Sequence, residues 1–126
     1  MISQELFWTH TYPLLQAILN VEGDILELGC GHYSTALTAA VSGSRRVVCV
    51  DTDKDWVGPL AKKYKSTPIE FKSISHHHEE YEEQIKPYTK QKWGIVFVDH
   101  NIITQRGPDL LRFKNQAEVL VMHDSH

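Results

Sequence analysis

Short apolar runs that alternate with helix-compatible segments restrict the possible folds of this chain more than any other feature. Five runs are compatible with β-strands, and two of them, 46–51 and 93–99, are almost continuously apolar before a final Asp. Continuous apolar runs are typical of strands buried on both faces, as in a parallel sheet. Together with 25–28, 69–74 and 117–122, they give the order α-βα-βα-βα-βα-β. This order predicts a single α/β domain over residues 1–126, with a parallel sheet between helices.

The segments between these strands carry helix signals at several points. Residues 2–20 have apolar side chains at roughly helical spacing, which predicts a leading helix or lid over residues 1–20. Thr52 with Asp55 resembles a capping box and predicts the start of a helix. We interpret 86–92 and 101–105 as loops, with Pro108 in the first turn of a short helix.

A glycine turn follows the first strand at residues 29–34, with the sequence G-C-G-H-Y-S. Gly29 and Gly31 allow a sharp turn and the close approach of a ligand. Ser34 stands where a dinucleotide fingerprint has a third small residue, Gly or Ala. A strand, a glycine turn and a helix start together form a common anion- or nucleotide-binding corner. An ordinary strand-to-helix turn is the alternative interpretation.

Polar residues stand at the carboxyl ends of all five predicted strands, where ligands bind in parallel α/β sheets. Asp51 ends the second strand, 22 residues after Gly29, where a carboxylate can accept hydrogen bonds from ribose hydroxyls. A helix-capping role is the alternative for Asp51. Thr52, Asp53 and Trp56 are next to it and could flank the sugar and the base. For Trp56, packing of the helix is an equal alternative.

Composition excludes several classes of protein. The chain has 13 Lys and Arg against 16 Asp and Glu, so there is no basic excess for general nucleic-acid binding. No apolar run approaches the ~20 residues of a membrane span, and residues 1–21 do not resemble a signal peptide. Cys30 and Cys49 lie in apolar contexts, which favours reduced thiols in the cytoplasm over a disulfide.

Three stretches resemble motifs of the class I S-adenosylmethionine-dependent methyltransferases. Residues 27–34, ELGCGHYS, look like motif I of that family; 47–53 with Trp56 resemble the second motif, and 94–99 the fourth. The ELGxGxxST variant is similar to small-molecule O-methyltransferase-like branches. The resemblance covers about residues 20–126. It implies a three-layer α/β/α, Rossmann-like fold with a mostly parallel five-stranded sheet in the order 3-2-1-4-5, and S-adenosyl-L-methionine as cofactor.

The same resemblance implies roles for individual residues. Motif I would face the methionine part of the cofactor, Asp51 the ribose, and the end of the third strand the adenine. Asp99 and His100 would face the sulfonium and the methyl acceptor, and are the expected catalytic residues. The implied cofactor-binding residues are Glu27, Gly29, Gly31, His32, Ser34, Thr35, Asp51, Thr52, Asp53, Trp56, Ser75, His76 and Asp99.

The implied activity is methyl transfer to an unidentified, small-molecule acceptor. Methyl transfer needs positioning and, for some acceptors, a base; His100, His123 and His126 are candidates. A module that binds the cofactor without catalysis is the alternative. A nicotinamide-dependent oxidoreductase is less well supported, because Ser34 replaces the third glycine and no Tyr-x-x-x-Lys pair is evident.

Two residue patterns resemble metal sites, but we predict a metal ion at neither. Asp99 and Asp124 fall where catechol-type O-methyltransferases place Mg²⁺ ligands, but Ser125 and Ile102 depart from that pattern. The run 76–78, His-His-His, invites a zinc interpretation, yet neighbouring residues do not converge easily on one ion. A solvated loop, or a loop on the adenine side of the site, is the favoured interpretation of this run.

The predicted sheet stops at its fifth strand. Complete methyltransferases of the class add two more strands there, so this chain is expected to be a minimal or truncated form. An uncovered strand edge favours association. We therefore expect either truncation or a partner, such as a second copy of the chain, at the edge of the fifth strand.

Overall fold

A computed structural model of the chain describes residues 15–30, 35, 38–40, 42–99 and 103–122. Helical residues 15–20 form α1, and helical residues 35 and 38–40 belong to α2. The further elements, in chain order, are β1 Ile25–Leu28, β2 Val47–Asp51, α3 Lys54–Lys63, β3 Ile69–Ser73, α4 His78–Thr89, β4 Trp93–Val98, α5 Ile103–Phe113 and β5 Ala117–Met122.

The five strands form one sheet in the order β3-β2-β1-β4-β5, and every pair of neighbours is parallel. The predicted α/β, Rossmann-like fold is confirmed, with an all-parallel sheet where a mostly parallel one was expected. Leu28 aligns with Val50 on one side and Val98 on the other, so β1, β2 and β4 end side by side. The residues that follow these strands therefore meet at one edge of the sheet.

Apolar side chains cover both faces of the sheet, which explains the near-continuous apolar runs. One core layer joins Ala17 of α1, Ala39 of α2 and Leu60 of α3 to the first face. The other joins Ile85 of α4 and Phe113 of α5 to the opposite face. Because successive strand side chains point to opposite faces, a strand between two helix layers has to be apolar at almost every position. The molecule is thus a three-layer α/β/α sandwich.

The start of α3 differs by one residue from the predicted capping box. Asp53, not Thr52, is the N-cap residue, and its Oδ1 accepts a hydrogen bond of 3.0 Å from the N–H of Asp55. A carboxylate is as good an N-cap acceptor as a hydroxyl, so adjacent Thr and Asp residues offer two competing starts. The structure uses the later one.

Two predicted loops are wrong in part, because both adjoining helices run through a proline. Helix α4 continues to Thr89 through Pro87, within the loop predicted at 86–92. Helix α5 begins at Ile103, within the loop predicted at 101–105, so Pro108 lies in the middle of the helix and not in its first turn. Proline usually breaks a helix by removing one N–H donor and crowding the preceding turn. Packing of both helices on the sheet outweighs that local preference here.

A buried polar network joins α4 to α5. The hydroxyl of Tyr81 donates to Oδ2 of the fully buried Asp109 at 2.5 Å. The guanidinium of Arg112 approaches Oδ1 of Asp109 at 2.9 Å and forms a bidentate pair with Glu82 at 2.7 and 2.8 Å. Burial, and next the charge of Asp109, raise the pKa of the Tyr81 hydroxyl, which therefore remains a proton donor. The network fixes how the two helices sit side by side.

None of the helices in the described part of the chain is long and apolar enough to cross a bilayer. The predicted lid, 1–20, lies outside the described residues except for α1. Ala17 and Ile18 of α1 are buried in the core, whereas Leu19, which belongs to the predicted apolar stripe, is 66% exposed.

Candidate functional site

The glycine turn begins directly at the carboxyl end of β1. Gly29 has a φ of +97°, in the region that favours glycine, so the chain turns sharply here. Its N–H donates to the carbonyl of Val50 at 2.7 Å, which holds the start of the turn against β2. The positive φ confirms why a glycine is needed at this position.

Asp51 connects this turn to the start of α3. Its Oδ2 accepts a hydrogen bond of 2.9 Å from the N–H of Cys30, and its Oδ1 accepts one of 2.9 Å from the N–H of Asp53. These two bonds show that Asp51 has a structural role in the turn before α3, and its ribose-binding role stays a prediction. Its carboxylate stands at the sheet edge where a ribose-binding acid is expected.

Trp56 holds the other side of Cys30. Its indole Nε1 donates to the carbonyl of Cys30 at 2.6 Å, and its half-buried ring packs against the core layer beneath. The N–H of Cys30 is therefore bound by the last residue of β2, and its carbonyl by a residue in the first turn of α3. Backbone atoms of Cys30 form the centre of this arrangement, which no sequence motif indicated.

A buried polar layer lies below the turn. Glu27 and Thr35 are both fully buried, and the hydroxyl of Thr35 donates to Oε2 of Glu27 at 3.1 Å. Cys49 is aligned with Glu27 on the neighbouring strand. Contact with the side chain of Cys30, and then burial, raise the pKa of the Cys49 thiol well above its ordinary value. Both cysteines are free and buried, and the raised pKa keeps the thiol of Cys49 unreactive.

An open cleft of about 590 Å³ lies next to the glycine turn, at the carboxyl ends of β2 and β3. This volume is in the usual range for sites that bind small molecules. Ile74 contributes apolar surface to its floor, and His76 and His77 contribute exposed rings. The complete lining is Thr52, Asp53, Lys54, Asp55, Ser73, Ile74, Ser75, His76 and His77.

The loop after β3 is held in place by hydrogen bonds from three directions. The N–H of Ile74 donates to the carbonyl of Asp51 at 3.0 Å, which joins this wall of the cleft to the opposite one. Gln84 of α4 accepts from the N–H of Ser75 at 2.6 Å, and the hydroxyl of Ser75 accepts from the N–H of His77 at 3.1 Å. These bonds tie this wall of the cleft to β2 and to α4.

Asp99 stands at the end of the central strand β4. It is half-buried, and its N–H donates to the carbonyl of Leu28 at 2.7 Å, so it adjoins the start of the glycine turn. The predicted catalytic pair cannot be compared as a pair, because His100 lies outside the described residues. The same holds for the two other candidate bases, His123 and His126.

The structure gathers part of the predicted set at one edge. Thr52, Asp53, Ser75 and His76 line the cleft, and Asp51 directly precedes the first two and binds the backbone of Cys30, next to Gly29. Glu27 and Thr35 contact each other below the turn and do not line the cleft. Gly31, His32 and Ser34 lie outside the described residues. Five residues that line the cleft are not among the predicted site residues, although all but Ser73 adjoin one of them: Lys54, Asp55, Ser73, Ile74 and His77.

Among the described residues, no three His, Cys, Asp or Glu side chains are grouped in a way that could hold a metal ion. His76, His77 and His78 are exposed, and the rings of the first two lie 4.2 Å apart between centroids. Asp124, the second of the two acids weighed for Mg²⁺, lies outside the described residues.

Comparison with known proteins adds no assignment: no family model, no curated protein and no solved structure matches this chain.

Proposed function

We propose that this chain binds S-adenosyl-L-methionine and transfers its methyl group to a small-molecule acceptor. The observation that carries the proposal is the position of Asp51. Its carboxylate ends β2, binds the glycine turn that follows β1, and adjoins a cleft at the same edge of the sheet. An acid, a glycine turn and a cleft in this relation suit an adenosine whose ribose lies at the acid.

The chemistry of the edge fits an adenosine. A carboxylate has about four lone-pair directions, and the two backbone N–H groups occupy two of them. Asp51 can therefore accept ribose hydroxyls while it still holds the turn. The cleft offers Ile74 as apolar surface and the rings of His76 and His77, which suit the face of a purine.

The methionine end of the ligand would lie over the glycine turn, toward β4. When bound, S-adenosyl-L-methionine supplies a methyl group on a positively charged sulfur. A carboxylate at Asp99, beside the start of the turn, would favour that charge electrostatically. We propose His100 as the residue that faces the acceptor and, where needed, takes its proton.

We further propose that the protein acts in the cytoplasm, because its two cysteines are free thiols. A second copy of the chain is the proposed partner at the free edge of β5, which pairs only with β4 among the described strands.

Calorimetric titration tests the cofactor assignment. We expect S-adenosylmethionine and S-adenosylhomocysteine to bind and NAD not to bind. Binding of NAD alone would support the oxidoreductase alternative and reject the proposal. A methyl-transfer assay over a panel of phenols, amines, thiols and carboxylates then tests catalysis. Tight cofactor binding without turnover of any acceptor would favour the binding module.

A further inference from the structure

We propose that Trp56 is a positioning residue of this site, which keeps the start of the glycine turn, Gly29 and Cys30, in its binding shape through the backbone of Cys30. The expected effect of Trp56 on binding of S-adenosylhomocysteine rests on the proposed function. Its expected effect on the backbone of Gly29 and Cys30 in the ligand-free protein does not. It resolves the two roles left open for Trp56, because the indole acts through the turn and does not need to touch the ligand.

The contacts at Cys30 explain how one side chain can control the turn. Asp51 accepts from the N–H of Cys30 at 2.9 Å, and Trp56 donates to its carbonyl at 2.6 Å. These two groups belong to the two successive peptide planes on either side of the Cys30 Cα. Holding both planes leaves little freedom in the backbone dihedrals of Cys30.

The position of the indole is itself well determined. Asp53 caps α3, and its carbonyl accepts from the N–H of Trp56 at 3.1 Å, so the residue belongs to the ordered first turn of the helix. The ring packs against the buried layer that also contains Cys30 and Cys49. The donor therefore stands on a rigid support, as a group that shapes a binding loop should.

Trp56 is not one of the residues that line the cleft in the described part of the chain. Its contact is with the turn, whose first residue, Gly29, has a φ of +97°. Glycine-rich backbone is freely mobile when nothing restrains it, and ordering it on binding lowers affinity. A turn that is already fixed by Trp56 loses less entropy when the ligand arrives.

Replacing Trp56 by Phe tests the proposal, because Phe keeps an aromatic ring and removes the Nε1 donor. Trp93→Phe is a matched control: Trp93 Nε1 donates in the same way, to the carbonyl of Tyr88 at 2.8 Å. Trp93 begins β4, so it lies at the opposite end of the sheet from the turn. Both variants lose one hydrogen bond of the same type, and only one of the two bonds holds the turn.

We expect Trp56→Phe to bind S-adenosylhomocysteine about three- to tenfold more weakly, the range for one lost neutral hydrogen bond. Amide hydrogen exchange at Gly29 and Cys30 in the ligand-free protein should also accelerate, by a similar factor. Trp93→Phe should lower the unfolding temperature without either change. Unchanged affinity and unchanged exchange in Trp56→Phe, or equal losses in Trp93→Phe, would overturn the inference.

The indole N–H resonance of Trp56 in the native protein gives a readout that needs no stable Trp56 variant. Replacement of Trp8 and Trp93 by Phe, one at a time, assigns the three indole signals. We expect slow solvent exchange of the Trp56 signal and a shift on saturation with S-adenosylhomocysteine. A rapidly exchanging signal contradicts the contact with Cys30. If the native protein does not bind the ligand at all, the proposed function fails, while the exchange measurements still decide whether Trp56 holds the turn.

Discussion

At the scale of single residues, Asp51 determines the candidate site. It binds the backbone N–H of Cys30 and of Asp53 with its two oxygens, and its own carbonyl accepts from Ile74. One residue thus joins the glycine turn, the start of α3 and the loop after β3. Any ligand that meets its carboxylate meets a group already oriented by two hydrogen bonds.

Asp51→Ala should weaken binding of S-adenosylhomocysteine by about 1–3 kcal/mol, the scale for a lost partner in charge-assisted hydrogen bonds. Calorimetry gives the affinity directly. Asp24→Ala is the control, since Asp24 precedes β1 at the other end of the sheet and its side chain is 44% exposed. Equal affinity in Asp51→Ala and the native protein would reject the ribose assignment.

Gly94 has no room for a side chain. A Cβ at this position would lie 2.2 Å from the carbonyl oxygen of Glu22, whereas a Cβ at Gly58 in α3 would meet nothing within 4 Å. Gly94→Ala should therefore destabilise the fold by about 1–3 kcal/mol, as over-packing does. Gly58→Ala should be neutral or stabilising by up to about 1 kcal/mol, since Ala favours a helix. Urea unfolding of the pair measures both, and similar midpoints would contradict the contact.

The positions of single residues could be predicted from the sequence where a general rule applies to one residue. The prediction failed where two neighbouring residues are equally suited to the same role. The position of Asp51 at the candidate site was predicted from its distance from Gly29 and from its place at the end of a strand. The N-cap was placed one residue early, because Thr52 and Asp53 are both good caps and only the tertiary contacts of Asp51 decide between them. The role of Cys30 depends on its backbone, which leaves no signature in side-chain patterns.

At the scale of elements, strands were easier to predict than helices. Each buried strand repeats one strong signal, a dense apolar run, in a few residues. Helices α4 and α5 extend into stretches predicted as loops, because their packing against the sheet cannot be read from the local sequence and outweighs the effect of Pro87 and Pro108. The pairing of Glu82 with Arg112 holds these two helices together across 30 positions of sequence.

The ion pair between Glu82 and Arg112 should make the free energy of unfolding depend on pH. Hydrogen bonding to Arg112 lowers the pKa of Glu82 below its ordinary value of 4.5. A carboxylate whose pKa is lowered by folding stabilises the fold at every pH above its pKa in the unfolded chain. This stabilisation is lost as the pH falls through its pKa in the folded protein. The native protein should thus exceed Glu82→Gln in stability by about 0.5–1 kcal/mol near neutral pH, and the difference should be lost as the pH falls below 4.5 and through the folded-state pKa of Glu82.

Urea unfolding at a series of pH values measures this difference. Glu83→Gln is the matched control on the same helix, because Glu83 pairs with Lys86 at 3.1 Å through side chains that are 72% and 59% exposed. Its effect should be close to zero at every pH. A pH-independent difference for Glu82→Gln would show that the charge of the pair does not contribute.

At the scale of the whole molecule, the alternation of strands and helices was sufficient to predict the sheet and its layers. Parallel strands with helices between them have few arrangements, and all of them bring the carboxyl ends together. The depth and shape of the cleft could not be predicted in this way. They depend on hydrogen bonds between separate segments, such as the one from Ser75, in the loop after β3, to Gln84 of α4.

The edge of β5 leads to an expectation about assembly. β5 contains neither Lys nor Pro, the residues that commonly protect strand edges, and Met122 is 42% exposed. We expect light scattering at micromolar concentration to show a species larger than the monomer, and Met122→Lys to shift it toward the monomer. A monomer in the native protein would count against a second copy at this edge.

A crystal structure of the protein with S-adenosylhomocysteine tests the central claim most directly. We expect the ribose hydroxyls within hydrogen-bond distance of the Asp51 carboxylate, with the adenine in the cleft between residues 52–55 and 73–77. The Cys30 backbone should keep its bonds to Asp51 and Trp56. A saturated crystal in which this edge holds no nucleoside, or in which protein side chains fill the cleft, would contradict the account.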